Sequence, residues 1–393
     1  MGRSLRVVVA TRIFAPEPAA ASLRLAALVQ SLADAGHEVT VLTTTTAPGS
    51  GGYVPPPRVR VRRWPVLRDR DGYVRGYVQY LSFDVPLALR LLLTRRPDVV
   101  VVEPPPTTGL VSAVVCAIRR VPFVYYAADI WSEAVVSAGM PSAVATVLRT
   151  AERGIFRAAR AVLATSSGVV ERVRALGRDA VAVGNGVDTT EFRPDGPVAE
   201  HDGPYLVYTG TASEVHGADV FTRAMGRVVA ERPDARLVFI GQGSDVAEMR
   251  RQAEELAPGA VTFLPRVPPS EVARWIRGAR AALASVLPGP YAFAFPSKLY
   301  AAAACGTPVI FAGAGPAREL VAEGRLGQVV EHDVDAVARA MITALDDAAG
   351  DSAPGSPERQ RRAAWAGEHV SAAAAAGRAV ETIERAATSG RGA

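Results

Sequence analysis

Short, unbroken apolar runs alternate with segments of helical period from one end of the chain to the other. Residues 5–10 form the first apolar run. Leu25, Leu28, Val29 and Leu32 then recur at helical spacing, and Gly36 stands where a helix would stop. Residues 37–43, 99–102, 122–126 and 161–164 read as further strands, separated by helical runs over 86–95, 108–119 and 143–159. The pattern then restarts. Strands are expected at 205–209, 237–240, 261–264, 281–285, 308–311 and 328–330, with helices over 219–231, 245–256, 270–277 and 335–345. Val-rich runs without polar alternation are strands buried on both faces, which means parallel sheet covered by helices. The fold class read from this pattern is α/β with two doubly wound parallel-sheet domains facing across a cleft. The first domain spans 1–190. A linker rich in Pro, Asp and Gly covers 191–203, and the second domain spans 204–365. A last long helix over 357–385, with a break near Gly367, carries residues 366–393 back to the first domain.

Composition agrees with this division. At 393 residues the chain exceeds the roughly 250–300 at which a single core stops growing. With 49% apolar and 21% charged residues it has a soluble globular balance. A net charge of +5 permits an anionic ligand without demanding nucleic acid. Cys116 and Cys305 sit in small apolar company, far from any metal-ligand spacing. The first ten residues lack the features of a signal peptide, and no apolar run of 18 residues escapes charge, so a cytoplasmic protein is expected. Arg58, Arg60, Arg62 and Arg63 precede Trp64. They read either as peripheral membrane contact or as an edge strand protected from pairing by its charge. The basic residues are nearly all Arg. Lys298 is the one Lys and Asn185 the one Asn, and under such a bias each marks a place where a substitute is not expected to serve.

Ligands of doubly wound domains bind at the carboxyl ends of the strands, which directs attention to a few loops. The loop 11–21 lacks a dinucleotide fingerprint but offers Arg12 and Phe14, with Arg24 beyond it; Glu103 ends another strand. Asp129 and Glu133, four apart after a strand, read equally as acid/base or hydroxyl-binding carboxylates and as a helix cap with Trp131 in the core. Asn185-Gly186 is a turn signal. Gly210 and Thr211 begin a loop of small and hydroxyl residues through His216 that precedes a helix, and Gly241-Gln242-Gly243 repeats the arrangement one strand later. Such loops can cradle phosphate with backbone N–H groups. Ser297-Lys298 opens a helix after a long loop and carries the single ammonium. The pairs Asp69/Asp71 and Asp333/Asp335 look like a charged loop and a helix cap.

The ordered set TRIFAPEP, VVVEPPP, YYAADIWSE, NGVD, YTGTASEVHG, FIGQG, LPRVP, FPSKLYAAAACGTPVI and ARELVAEG resembles family 4 glycosyltransferases of the GT-B fold, in particular a branch with a Pro-Ser-Lys-Leu-Tyr motif. The resemblance implies a retaining, metal-independent transferase with no resident cofactor. It would move a sugar from a nucleotide diphosphate to a small-molecule or lipid-linked acceptor in cell-surface polysaccharide or secondary-metabolite synthesis. On this reading Lys298 and Gly210 face the diphosphate, with Thr211, His216, Gly243 and Ser297 around the donor. Gly241, Gln242 and Val267 lie near the base, while Asp129 and Glu133 face the acceptor or the transferred sugar. Arg12, Phe14 and Glu103 line the acceptor side. Many members carry two glutamates where this chain has Phe293 and Ala301, and Glu319 is the candidate replacement. Two rival readings are a non-hydrolysing sugar-nucleotide epimerase and a nucleotide-sugar-binding partner subunit without turnover.

Overall fold

The computed structural model describes residues 3–17, 19–46, 52–69, 74, 76–137, 140–289, 294–347, 353 and 355–388. They form two compact units, 1–185 with 372–393, and 186–371. The first contains β1 (Arg6–Ala10), α1 (Ala20–Asp34), β2 (Glu38–Thr44), β3 (Val59–Trp64), α2 (Tyr77–Leu93), β4 (Val99–Val102), α3 (Pro106–Arg119), β5 (Phe123–Ala127), α4 (Trp131–Ser137), α5 (Ser142–Ala158), β6 (Ala161–Ala164), α6 (Ser167–Ala175) and β7 (Val181–Ala182). Its sheet runs β3-β2-β1-β4-β5-β6-β7, with every pairing parallel.

The second unit contains β8 (Tyr205–Thr211), α7 (Asp219–Glu231), β9 (Arg236–Gln242), α8 (Val246–Leu256), β10 (Val261–Leu264), α9 (Pro269–Gly278), β11 (Ala281–Val286), α10 (Lys298–Ala304), β12 (Val309–Gly313), α11 (Ala317–Glu323), β13 (Gly327–Val330), α12 (Val334–Asp346) and α13 (Pro357–His369). Its parallel sheet runs β10-β9-β8-β11-β12-β13. The last helix, α14 (Ala372–Thr388), belongs to the first unit: Ala379, Val380 and Ile383 share a core with Leu25, Leu28 and Leu32 of α1. Each sheet has apolar clusters on both faces, as continuous valine runs require.

Three expectations change. The segment expected as a linker belongs to the second unit. The buried Arg277 donates from Nε to the Pro197 carbonyl at 2.9 Å and from Nη1 to the Glu191 carbonyl at 3.3 Å, and Phe192 packs against the core. A Pro- and Gly-rich composition hides such anchoring, because backbone carbonyls leave no pattern in sequence. The helix expected to start at Pro86 starts at Tyr77 and runs through the proline, which costs one backbone hydrogen bond. Phe83, Leu87 and Leu91 on its inner face hold it to the core. The closing helix breaks between His369 and Ala372 rather than at Gly367, and this break is where the chain passes from one unit to the other.

Candidate functional site

In the second unit the carboxyl ends of β8 and β9 lie side by side. Gly210 pairs with Gly241 and Thr211 with Gln242, so four residues singled out in sequence form one strip. Gly241 has φ +154°, and a Cβ there would stand 1.9 Å from the Gly210 carbonyl oxygen. Only a residue without a side chain lets the strands end this close. Lys298 opens α10 and reaches this strip: its Cε and Nζ come within 3.7 and 3.9 Å of where a Cβ on Gly210 would lie. The Nζ sits 3.4 Å from the centre of the Tyr208 ring, which stacks on Phe239 at 4.9 Å. It is buried and, among the described residues, has no hydrogen-bond partner. Burial holds the Lys298 ammonium well below its ordinary range. A buried amine whose donors no described residue satisfies is matched to an acceptor arriving from outside.

The other donor-side candidates divide. His216 accompanies this group: its Nδ1 lies 3.0 Å from Ser213 Oγ, and burial, followed by the charge of Lys298, pushes it down to about 4. It is therefore neutral near pH 7 and supplies no second cation. Thr211, Gln242, Gly243 and Ser297 are exposed, and Val267 packs partly buried against the core beside Leu264. Glu319 stands exposed in the first turn of α11. Ala301, where the family this chain resembles carries its second glutamate, lies in the apolar core, and Phe293 lies outside the described residues.

In the first unit Ala10 of β1 faces Val102 of β4, and the residues just beyond them meet. Arg24 donates to Glu103 and, at 2.7 Å, to Asn185 Oδ1; Thr11 Oγ1 donates to Glu103 Oε2 at 3.1 Å. Both Glu103 oxygens are thus engaged, so this carboxylate orients Arg24 and is not a free base. Arg12 donates to the Val74 carbonyl at 2.7 Å and lies 4.3 Å from the centre of the Tyr80 ring. Burial lowers the Arg12 guanidinium from its ordinary range. Arg12 and Arg24 each keep a buried Nε without a partner among the described residues.

Phe14 is a correction. At 1% exposure, edge-on to Tyr53 at 5.2 Å, it is core and offers no face to an acceptor. Asp129 is exposed in a bend after β5, ahead of α4, and Glu133 is ion-paired with Arg172, so the two do not share a helix face. Nor does Asp129 cap that helix. Glu152, reaching over from α5, accepts from the backbone N–H of Trp131 at 2.6 Å and of Ser132 at 3.3 Å. Asp333 does cap α12, accepting from Asp335 and Ala336 N–H at 3.0 Å each. Asp71 lies outside the described residues.

Sequence reasoning missed Tyr80 and Asp84 because the start of α2 was misplaced. Asp84 is fully buried, accepts from Thr108 Oγ1 at 2.6 Å, and has its carboxyl pushed up by burial. A lone carboxylate between Phe83 and Val85 in an apolar helix was the available signal.

A family model described as "Glycosyl transferase 4-like domain" matches residues 20–186, and one described as "Glycosyl transferases group 1" matches 203–347. A phosphatidyl-myo-inositol mannosyltransferase of Mycolicibacterium smegmatis is 34% identical over 181 residues, 45% of each chain. A D-inositol 3-phosphate glycosyltransferase 2 of Catenulispora acidiphila is 30% identical over 247 residues, 57% of each chain. The chain thus matches about half the length of these curated relatives. In fold it resembles Anabaena Alr3699/HepE, solved with UDP and glucose, at TM-score 0.68 and 16% identity, covering 97% of this chain and 100% of that one.

Proposed function

Taking as premise that this chain belongs to the glycosyltransferases of family 4 and the GT-B fold, we propose that it moves a sugar, with retention and without a bound metal, from a nucleoside diphosphate to an acceptor. The observation that carries the reading is Lys298. Its amine is buried, has no hydrogen-bond partner among the described residues and is set against the glycine strip at the carboxyl ends of β8 and β9. Cleaving a sugar–phosphate bond leaves the electron pair on the diphosphate and positive charge on the sugar. A fixed cation at the leaving oxygens lowers that barrier more than a strong base would. On this reading Lys298 supplies that cation. Gly210, exposed and without a side chain, presents backbone beside the amine where the phosphate would bind, and Gln242 and Val267 are assigned to the base side.

The acceptor is assigned to the first unit, where Arg12 and Arg24 end beside the carboxyl edge of the sheet, with Asp129 as the exposed carboxylate. An acceptor with hydroxyls and an anionic group suits two arginines there. The names of the inositol-directed relatives support that class, in cell-surface or secondary-metabolite synthesis. A second reading, a donor-binding subunit without turnover, is favoured by one observation: Ala301 lies in apolar core where many family members carry a glutamate. The deciding experiment is a thermal-shift panel of UDP-, GDP- and dTDP-sugars, followed by product analysis on inositol-type and lipid-linked acceptors. A ligand at 100 times its Kd stabilises by about 2.7 kcal/mol, well within reach of the method. Binding of one donor with transfer supports the first reading, binding without transfer to any acceptor the second, and no shift with any donor removes both.

A further inference from the structure

Helix α2 is apolar on two opposite faces. Phe83, Leu87 and Leu91 point into the core, whereas Val78, Leu81, Val85, Leu89 and Leu92, three or four residues apart, form a continuous exposed stripe. Val85 is 64% and Leu89 57% exposed. Helix α3 packs beside α2 and adds Leu110, Val114 and Ile118, again one exposed row. A helix apolar all round belongs inside a protein or against something apolar, and a patch of eight large side chains on adjacent helices exceeds the scattered exposure normal for a surface. No described residue of α2 or α3 carries an exposed acid, since Asp84 is buried.

The rim of this face is basic. Arg95, Arg96 and Arg120 are exposed at the carboxyl ends of the two helices, where Arg96 donates to the Arg120 carbonyl at 2.9 Å. Along the other side runs β3, the edge strand, with Arg60, Arg62 and Trp64 on its exposed face. Arg90 of α2 lies 5.9 Å from the Trp64 ring and ties the strand to the helix. No helix among the described residues is long and apolar enough to cross a membrane. We propose that this face of the first unit lies on an anionic lipid surface, with the Leu and Val rows at the acyl boundary, the arginines among the headgroups and Trp64 between them. An apolar centre within a cationic rim fits a negatively charged interface. A second copy of the chain fits less well, because a two-fold contact would set one arginine rim against the other.

Co-flotation of the full chain with vesicles tests this proposal. Phosphatidylcholine alone is compared with a mixture holding about one third phosphatidylglycerol, since each arginine near the surface strengthens binding roughly fivefold. Wild type is expected to float with the anionic vesicles and far less with the neutral ones, and added salt should weaken the binding. Leu81→Glu/Leu89→Glu is expected to lower partitioning tenfold or more while keeping the wild-type melting temperature and nucleotide binding. Val114→Asn on the neighbouring helix gives a smaller loss and serves if the double variant fails to fold. The proposal is overturned if wild type does not float with anionic vesicles at low salt, or if the variants float as wild type does. It is equally overturned if lipid-free wild type is a dimer that Leu81→Glu/Leu89→Glu converts to a monomer, which would make a second copy the occupant.

Discussion

Replacing Lys298 by methionine should change stability and turnover in opposite directions. The amine is buried against the Tyr208 ring with no acceptor among the described residues, and burial lowers its affinity for a proton. In the unfolded chain a lysine titrates near 10.4. Below that pH the unfolded state binds more protons than the folded one, so folding stability rises with pH until the unfolded value is passed. The slope is about 1.4 kcal/mol per pH unit between the folded and unfolded values. Methionine has similar length, packs on an aromatic ring and carries no charge. Lys298→Met should therefore be more stable than wild type at pH 7, with the difference shrinking as pH approaches 10. Turnover should fall roughly 100- to 1,000-fold, or about 2.7–4 kcal/mol, the cost of losing one preorganised charge at a leaving group. Lys298→Arg should recover only part of that rate, since a planar fork does not replace a point charge. Urea unfolding at several pH values and single-turnover rates read the two effects. A variant that is less stable at pH 7 yet turns over at near-native rate would falsify the reasoning, because the amine would then be a structural contact and the diphosphate would bind elsewhere.

Arg24→Met leaves Glu103 buried with one oxygen unpaired and should cost roughly 3–5 kcal/mol in urea unfolding; Arg24→Met/Glu103→Gln should recover most of it, and a double variant as unstable as the single one contradicts the pairing. Gly241→Ala places a Cβ 1.9 Å from the Gly210 carbonyl, so the strand ends must part. A loss of about 1–3 kcal/mol in thermal unfolding is expected, together with weaker nucleotide binding. Asp129→Asn should slow transfer while leaving nucleotide Kd unchanged, because Asp129 belongs to the unit that does not carry the donor residues; a shifted Kd counts against that assignment.

The strands were legible because a parallel sheet covered on both sides demands unbroken apolar runs, and β4, with its four valines, states this without ambiguity. Short or polar elements were not. The two-residue β7 and the helices α6 and α11 carry too few periodic positions to register, and Pro86 was read as a helix start when core contacts carry the helix through it. On the site, the glycines were legible as loops, but their register was not. That Gly210 faces Gly241 follows from the pairing of two strands far apart in sequence. Glu133 and Phe14 show the opposite error. The family resemblance put them on the acceptor side, but Arg172 pairs with the first and the core holds the second.

The two residues that occur once explain how a composition can point to a site. The chain has 44 basic residues, of which Lys298 alone is lysine. Arginine presents five donors and does not shed its proton, so an arginine buried here without partners would keep its full charge and leave more donors unsatisfied. A lysine has fewer donors to leave unsatisfied and gives up its proton more readily when buried, which suits a buried site that awaits an anion. Asn185 meets a related constraint, because its amide oxygen accepts from Arg24 at 2.7 Å without adding a charge beside Glu103. An aspartate there would put a second carboxylate against the one already paired, and a serine would not reach as far. A biased composition substitutes freely wherever charge or polarity alone is enough. The positions that resist it are those where the proton inventory of one side chain decides whether the buried group can exist.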